Sequence, residues 1–217
     1  MSEPSSEQVA ERLARVQKRI AATGADPAGI EIVAVTKGHG TAACRAALGA
    51  GLVTLGENRV QEALPKMDSV PEARWHLLGH LQTNKVRHAG RFALLQSLDS
   101  ERLIDALASR APEVPVLIEV NVSRERQKHG VEPELAIALA EQTAARLTVR
   151  GLMTIAPLGR DPRPAFRELR ELRERIQDHL GRALPTLSMG MSGDFEVAVQ
   201  EGATMVRLGT VLFGERA

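Results

Sequence analysis

At 217 residues the chain is long enough for one large α/β domain or two small ones, and 43% apolar residues supply a sizeable core. Aromatic residues are only 2% of the chain and tyrosine is absent, so aliphatic side chains must fill that core, and mechanisms that need a tyrosine acid or base are excluded. The 28 basic and 27 acidic residues nearly cancel; with so few rings for base stacking, a nucleic-acid partner is not expected.

The amino terminus, Met1-Ser2-Glu3-Pro4-Ser5, has neither the basic start nor the apolar core of a targeting peptide. Val9, Leu13, Val16 and Ile20 recur at helical spacing and predict an amphipathic helix with Gly24 as its C-cap. Ile30 to Lys37 reads as a buried strand running into a lysine, and Gly38-His39-Gly40 breaks it. Thr41 is placed to cap a short alanine-rich helix carrying Cys44, a single thiol that can form no internal disulfide and reads as inert packing. Leu52 to Leu55 predicts a second strand, followed by Gly56-Glu57-Asn58 and a helix that Pro65 should close.

Trp75 to Gly79 is the third strand, with a helix from Gln82 to Ala89, and Phe92 to Leu98 is the fourth, followed by a helix through Leu103, Ile104 and Leu107. Pro115 to Val122 carries a nearly continuous apolar run typical of a parallel sheet covered on both sides. A loop then leads to a helix near Pro133, and Thr148 to Thr154 makes the sixth strand. Pro157 to Pro164 reads as a proline-rich loop before a long helix with Phe166, Leu169, Leu172, Ile176 and Leu180 on its apolar side; its Arg and Glu residues form a solvated face. Thr186 to Met189, a short helix from Asp194 to Glu201, and Thr204 to Leu208 complete the order, with Val211-Leu212-Phe213 at the end.

Eight strands, each followed by a helix or helical turn, predict an α/β protein with a (β/α)8 barrel, one domain over residues 1–217 with an added amino-terminal helix. An open doubly wound sheet is the competing arrangement. No apolar run approaches the ~20 residues of a membrane span, so a cytoplasmic protein with no membrane partner is expected.

In a barrel the carboxyl ends of the strands share one face, and that face carries the site. Lys37 ends the first strand, Asn58 follows the second, Gly79 and His80 the third, and Asn121 ends the fifth. A lysine there suits Schiff-base chemistry, against the plainer reading of a strand-end lysine that reaches solvent. Ser188-Met189-Gly190-Met191-Ser192-Gly193-Asp194 and Arg207-Leu208-Gly209-Thr210 place glycines and hydroxyls after strands seven and eight. In this fold those two loops form phosphate sites, where backbone N–H groups at helix starts favour an anion. A Schiff-base lysine opposite a phosphate cradle suits pyridoxal 5′-phosphate or a sugar-phosphate aldolase. His76 and His80 lie four apart across a strand and loop, and no carboxylate or cysteine completes a metal set with them, so no metal is expected.

The segments Ala34-Val35-Thr36-Lys37, Gly56 to Glu62, Trp75 to Lys85, Gly151-Leu152-Met153, Leu187 to Ser192 and Arg207 to Thr210 with Phe213-Gly214 run nearly end to end. In them the chain closely resembles the pyridoxal phosphate homeostasis proteins, whose barrel is similar to the amino-terminal domain of alanine racemase, the fold-type III arrangement. The resemblance implies a cofactor bound through a Schiff base on Lys37, with Met189, Ser192, Gly209 and Thr210 around its phosphate, Arg207 at the pyridine nitrogen and Asn58 near the ring. It implies a monomeric, non-catalytic carrier that keeps free cofactor low and passes it to apo-enzymes. A racemase-like enzyme is the alternative, but alanine racemase places a tyrosine opposite its lysine and this chain has none. Gly38-His39-Gly40 departs from the Lys or Thr then Pro common after the family's lysine, which leaves the rigidity of that loop open. His39 reads as an exposed loop histidine, Lys85 as surface charge or a secondary attachment point, and His129 as bordering the pocket without an assigned role.

Overall fold

The computed structural model describes residues 3–125 and 127–215. Its first element, helix α1 (Ser6–Ala22), opens on a capping box in which Ser5 and Gln8 satisfy each other's backbone N–H groups. Val9, Leu13, Val16 and Ile20 are buried along one side of α1, as their spacing predicts. Thr23 is its C-cap, with Gly24 one residue later at φ 90°, the conformation glycine adopts at no steric cost.

Strand and helix then alternate through β1 (Glu31–Val35), α2 (Thr41–Gly49), β2 (Thr54–Glu57), α3 (Val60–Ser69) and β3 (Arg74–Leu77). A 3-10 segment, Thr83–Arg91, takes the place of the regular helix expected there and leads to β4 (Leu94–Leu98) and α4 (Glu101–Arg110). The second half comprises β5 (Val116–Glu119), α5 (Ala136–Ala144), β6 (Val149–Met153) and α6 (Arg163–Leu180). It ends with β7 (Thr186–Ser188), α7 (Phe195–Gln200), β8 (Met205–Leu208) and α8 (Thr210–Phe213). The strands pair in parallel in chain order, and β8 returns to β1 through Glu31↔Met205 to Ala34↔Leu208, closing the barrel. The closed sheet settles the choice against a doubly wound arrangement.

Three local expectations are corrected. Pro65 lies inside α3 rather than ending it. Continuing past it buries Lys66 and Met67 beside Val60 and Ala63, and tertiary packing of that face outweighs the lost backbone bond. Thr41 is the first residue of α2, and Gly40 is the N-cap with no side-chain capping bond of its own. The carboxylate of Glu3 supplies the cap from a distance, accepting from the N–H groups of Gly40 and, at 2.9 Å, Ala43. The loop after β6 ends earlier than expected, because Pro164 sits in the first turn of α6, where its missing N–H costs nothing.

Residues alternate between two apolar layers. Val33, Val35, Leu94, Leu117, Met153 and Met205 point into the barrel and, with Leu78, form the inner cluster. Ala34, Leu55, Trp75, Leu77, Ile118, Leu152, Leu187 and Val206 point outward into the larger layer beneath the helices, where Phe166, Leu169, Leu172 and Ile176 of α6 also sit. This period of two decides which strand-end residues can reach a ligand.

Candidate functional site

At the carboxyl ends of the strands lies a cavity of about 290 Å³. Its walls include Lys37 and His39 after β1, Asn58 after β2, Ser192 and Gly193 after β7, Arg207 in β8, and Gly209 and Thr210 at the start of α8; Val35, Leu78, Met153, Ile155 and Met191 make the rest apolar. Lys37 sits two residues beyond the end of β1, on the inward side with Val33 and Val35. Six of the seven residues expected at the site, Lys37, Asn58, Ser192, Arg207, Gly209 and Thr210, therefore share this one cavity. Met189 does not: it is fully buried in the outer layer, and Met191, two residues on, lines the cavity in its place. His39 is half-buried rather than exposed, its ring 5.2 Å from that of Phe213.

The loops after β7 and β8 are joined to each other. Ser192 Oγ accepts from the N–H of Val211 at 3.2 Å, which brings the hydroxyl of one loop to the first turn of α8. A Cβ on Gly209 would lie 3.3 Å from the carbonyl of Val35, so glycine lets the start of α8 approach the end of β1. Two hydroxyls, the first N–H groups of a helical turn, a lysine amine and a guanidinium thus converge on one side of an apolar slot. That donor set fits a planar apolar ring carrying an anionic group.

Arg207 is buried and held from beneath. Its Nη1 donates to Ser188 Oγ and its Nη2 to the carbonyl of Thr154, both at 2.7 Å. Ser188 Oγ donates in turn to Gln96 Oε1 at 2.7 Å, and Gln96 Nε2 lies 3.0 Å from His76 Nδ1. Burial pulls the guanidinium down to about 10, partly offset by Glu119 and Asp194, so it stays charged at neutral pH. Burial, with Arg74 nearby, holds His76 at about 4, which makes it a neutral member of this hydrogen-bond series.

The opposite side of the mouth carries different chemistry. A larger, more open depression of about 800 Å³ shares Asn58, Leu78 and Ile155 with the first cavity and adds Arg59, His80, Lys85, Glu119 and His129. Glu119 ends β5 on the inward side; burial, reinforced by Asp99 and opposed by Arg207, raises its carboxyl to about 7. His80 Nδ1 lies 3.3 Å from Asp99 Oδ2, and the His80 and His129 rings stack at 4.6 Å with planes 12° apart. One ligand atom from each of His80, Asp99 and His129 lies within 4.8 Å of the others, so a carboxylate does stand beside His80, with His129 rather than His76 as the second histidine.

A family profile described as the alanine racemase N-terminal domain matches residues 5–217. The pyridoxal phosphate homeostasis protein of Aquifex aeolicus is 45% identical, with 97% of each chain covered. The chain belongs to the pyridoxal phosphate homeostasis protein family. The solved structure of PipY of Synechococcus elongatus with PLP bound is 36% identical, with a TM-score of 0.80 over 95% of this chain and all of that one. Alanine racemase of Corynebacterium glutamicum shares the fold at 15% identity and a TM-score of 0.78, with 61% of its length covered.

Several residues of the site were not singled out in the sequence. Gln96 supports Arg207 through Ser188, which the sequence offered only as the start of the β7 loop, and the signal for Gln96 was its inward place on β4. Glu119 ends the clearest strand of the chain as a charged residue on the barrel's inner side. Lys66 stands in the apolar stripe of α3, where Val60, Ala63 and Met67 are buried.

Proposed function

We propose that this chain binds pyridoxal 5′-phosphate through Lys37 and acts as a carrier that stores the cofactor and releases it to apo-enzymes, without turning over amino acids. The observation that carries the reading is the placement of Lys37 and the Ser192, Gly209 and Thr210 loops in one cavity, with charged Arg207 between them. When bound, the cofactor supplies an aldehyde for Schiff-base formation. The chain's part is to offer the amine of Lys37, hold the phosphate with Ser192, Thr210 and the backbone at Gly209, and present a guanidinium to the pyridine nitrogen. A permanently charged donor at that nitrogen discourages its protonation and weakens the ring as an electron sink, which suits holding better than transamination. Met189 acts in this scheme by packing the loop from below. The carrier reading also takes the chain to be a monomer of one domain.

Protein reconstituted with pyridoxal phosphate should be yellow, and borohydride should fix one cofactor on Lys37, as read by peptide mass. Lys37→Ala should lose that adduct, and a wild-type protein that stays colourless would overturn the reading. A racemase-like enzyme is favoured by one feature, the Glu119 carboxyl that titrates near neutrality at the mouth. Exchange of an amino acid's α-hydrogen with solvent deuterium at many turnovers per minute, lost in both Lys37→Ala and Glu119→Gln, would establish it over the carrier.

A further inference from the structure

Behind the wall that presents Lys37 and Asn58, charged groups occupy a layer otherwise filled by apolar side chains. Alternation along β1 sends Val33 and Val35 inward and Ala34 outward, so Thr36 faces the helices while Lys37 faces the cavity. Along β2, Leu55 faces outward, so Glu57 does too and Asn58 turns in. The strands are in register, Val35 opposite Gly56, and the Thr36 N–H donates to the Gly56 carbonyl at 3.0 Å. The two outward residues are thus neighbours, as are the two inward ones.

Lys66 joins the outward pair. Its Nζ donates to Glu57 Oε1 at 2.5 Å and to the Thr36 carbonyl at 2.8 Å, while Thr36 Oγ1 donates to the same Glu57 oxygen at 2.6 Å. The Thr36 carbonyl belongs to the peptide group that leads into Lys37, so the ammonium holds the backbone from which the cavity lysine springs. The Glu57 side chain is fully buried and that of Lys66 is 10% exposed. The second Glu57 oxygen is buried without a hydrogen-bond partner among the described residues. A buried ion pair with an unmet acceptor is a poor device for stability, since apolar side chains of similar volume commonly serve as well or better. Its geometry instead constrains two strand ends, and the passage of α3 through Pro65 is what delivers Lys66 to them.

We propose that Glu57 and Lys66 are positioning residues for Lys37 and Asn58: by tying the two strand ends together from outside the barrel, they fix the lysine amine and set how slowly bound cofactor is released. The statement about release rests on the pyridoxal phosphate reading; the statement about Lys37 does not.

The test is the double variant Glu57→Leu/Lys66→Met, which removes both charges and leaves no unpaired ion. Competitive labelling of the cofactor-free full chain with acetic anhydride reads Lys37 against Lys18, an exposed lysine of α1. Loaded protein is followed in parallel by the loss of its yellow colour to an excess of hydroxylamine. We expect a folded variant in which Lys37 labels at least threefold faster relative to Lys18 and the cofactor is lost about tenfold faster. A purely structural role would lower the melting temperature while leaving the labelling ratio of the folded protein unchanged, and an unchanged ratio overturns the proposal. Should the double variant not fold, Thr36→Val cuts only the hydroxyl link, and its labelling ratio must rise severalfold or the proposal falls. If wild-type protein takes up no pyridoxal phosphate, the functional reading fails while the labelling ratio still decides the positioning role.

Discussion

Glu57 and Glu119 both end a strand, both are buried, and they stand on opposite sides of the barrel wall. Glu57 points outward and meets Lys66 and Thr36 within 2.6 Å. Glu119 points inward, where burial and Asp99 push its carboxyl up to about 7. The difference shows that strand parity, more than burial, decides the role of a strand-end acid. On the helix side a carboxylate can be paired with a cation from a helix and used as a fixed structural charge. On the mouth side Glu119 faces Asp99 and Arg207, and its carboxyl titrates beside a ligand cavity.

The largest expected effect breaks the paired side of that contrast. Lys66→Met leaves Glu57 as an uncompensated buried acid and should destabilise the protein by about 3–5 kcal/mol, measured by urea unfolding at neutral pH. Adding Glu57→Leu should recover most of the loss. A single variant as stable as wild type would show that Glu57 does not depend on Lys66 for its burial.

The next effect concerns the unpaired side and has the opposite sign. Because the Glu119 pKa is raised on folding, the native state holds a proton that the unfolded chain gives up. Its contribution is present at low pH and is lost as pH rises from about 4.5 to about 7. Glu119→Gln should therefore stabilise the protein by about 3 kcal/mol at pH 8 and change little at pH 4. His76 works the other way. Its folded value near 4 lies below its ordinary 6.5, so stability is lost as pH falls between those values. Over roughly pH 4.5–6.5 the two slopes offset each other. Glu119→Gln should expose the acid-side loss and His76→Gln the alkaline-side loss, both read as melting temperature against pH.

A smaller effect sharpens the contrast by moving the cation that opposes the rise of the Glu119 pKa. Ser188→Ala removes the Oγ that accepts from Arg207 and donates to Gln96. Losing a hydrogen bond to a buried charged group should cost about 1.5–3 kcal/mol in urea unfolding. The guanidinium is then freer to turn toward Glu119, whose titration midpoint, followed by carboxyl NMR, should fall below 7. A midpoint that stays put would mean that Thr154 alone holds the guanidinium in place.

The sequence made the barrel legible because its strands are short apolar runs punctuated by glycine, proline and helical periodicity. It also placed Lys37, Asn58, Ser192, Arg207, Gly209 and Thr210 together, because in a barrel chain order maps directly onto one face, and all six line one cavity. Met189 went astray by a matter of parity: one residue after β7 it turns outward into the core, and the loop reaches the cavity only at Met191. Pro65 misled because local backbone cost was weighed without the buried stripe of α3. The pairings of Glu57 with Lys66 and of His80 with Asp99 and His129 were illegible for a different reason. Each depends on side chains brought together across elements, at distances that no single segment encodes.

Glu3 gives the smallest and most local form of the same comparison, a half-buried carboxylate that caps a helix start. It accepts from the N–H groups of Gly40 and Ala43 at the start of α2, where the helix dipole favours an anion. Glu3→Ala should cost about 1 kcal/mol, the usual worth of an N-cap, and Glu3→Gln about half of that, since the amide oxygen still accepts but carries no charge. Because α2 begins four residues after Lys37, loss of this cap should also raise hydrogen exchange at Gly40 and Ala43 while leaving the amides of β5, on the far side of the barrel, unchanged. Equal protection of Gly40 and Ala43 in Glu3→Ala and wild type would show that the helix start is held by its packing against α1 and not by the distant carboxylate.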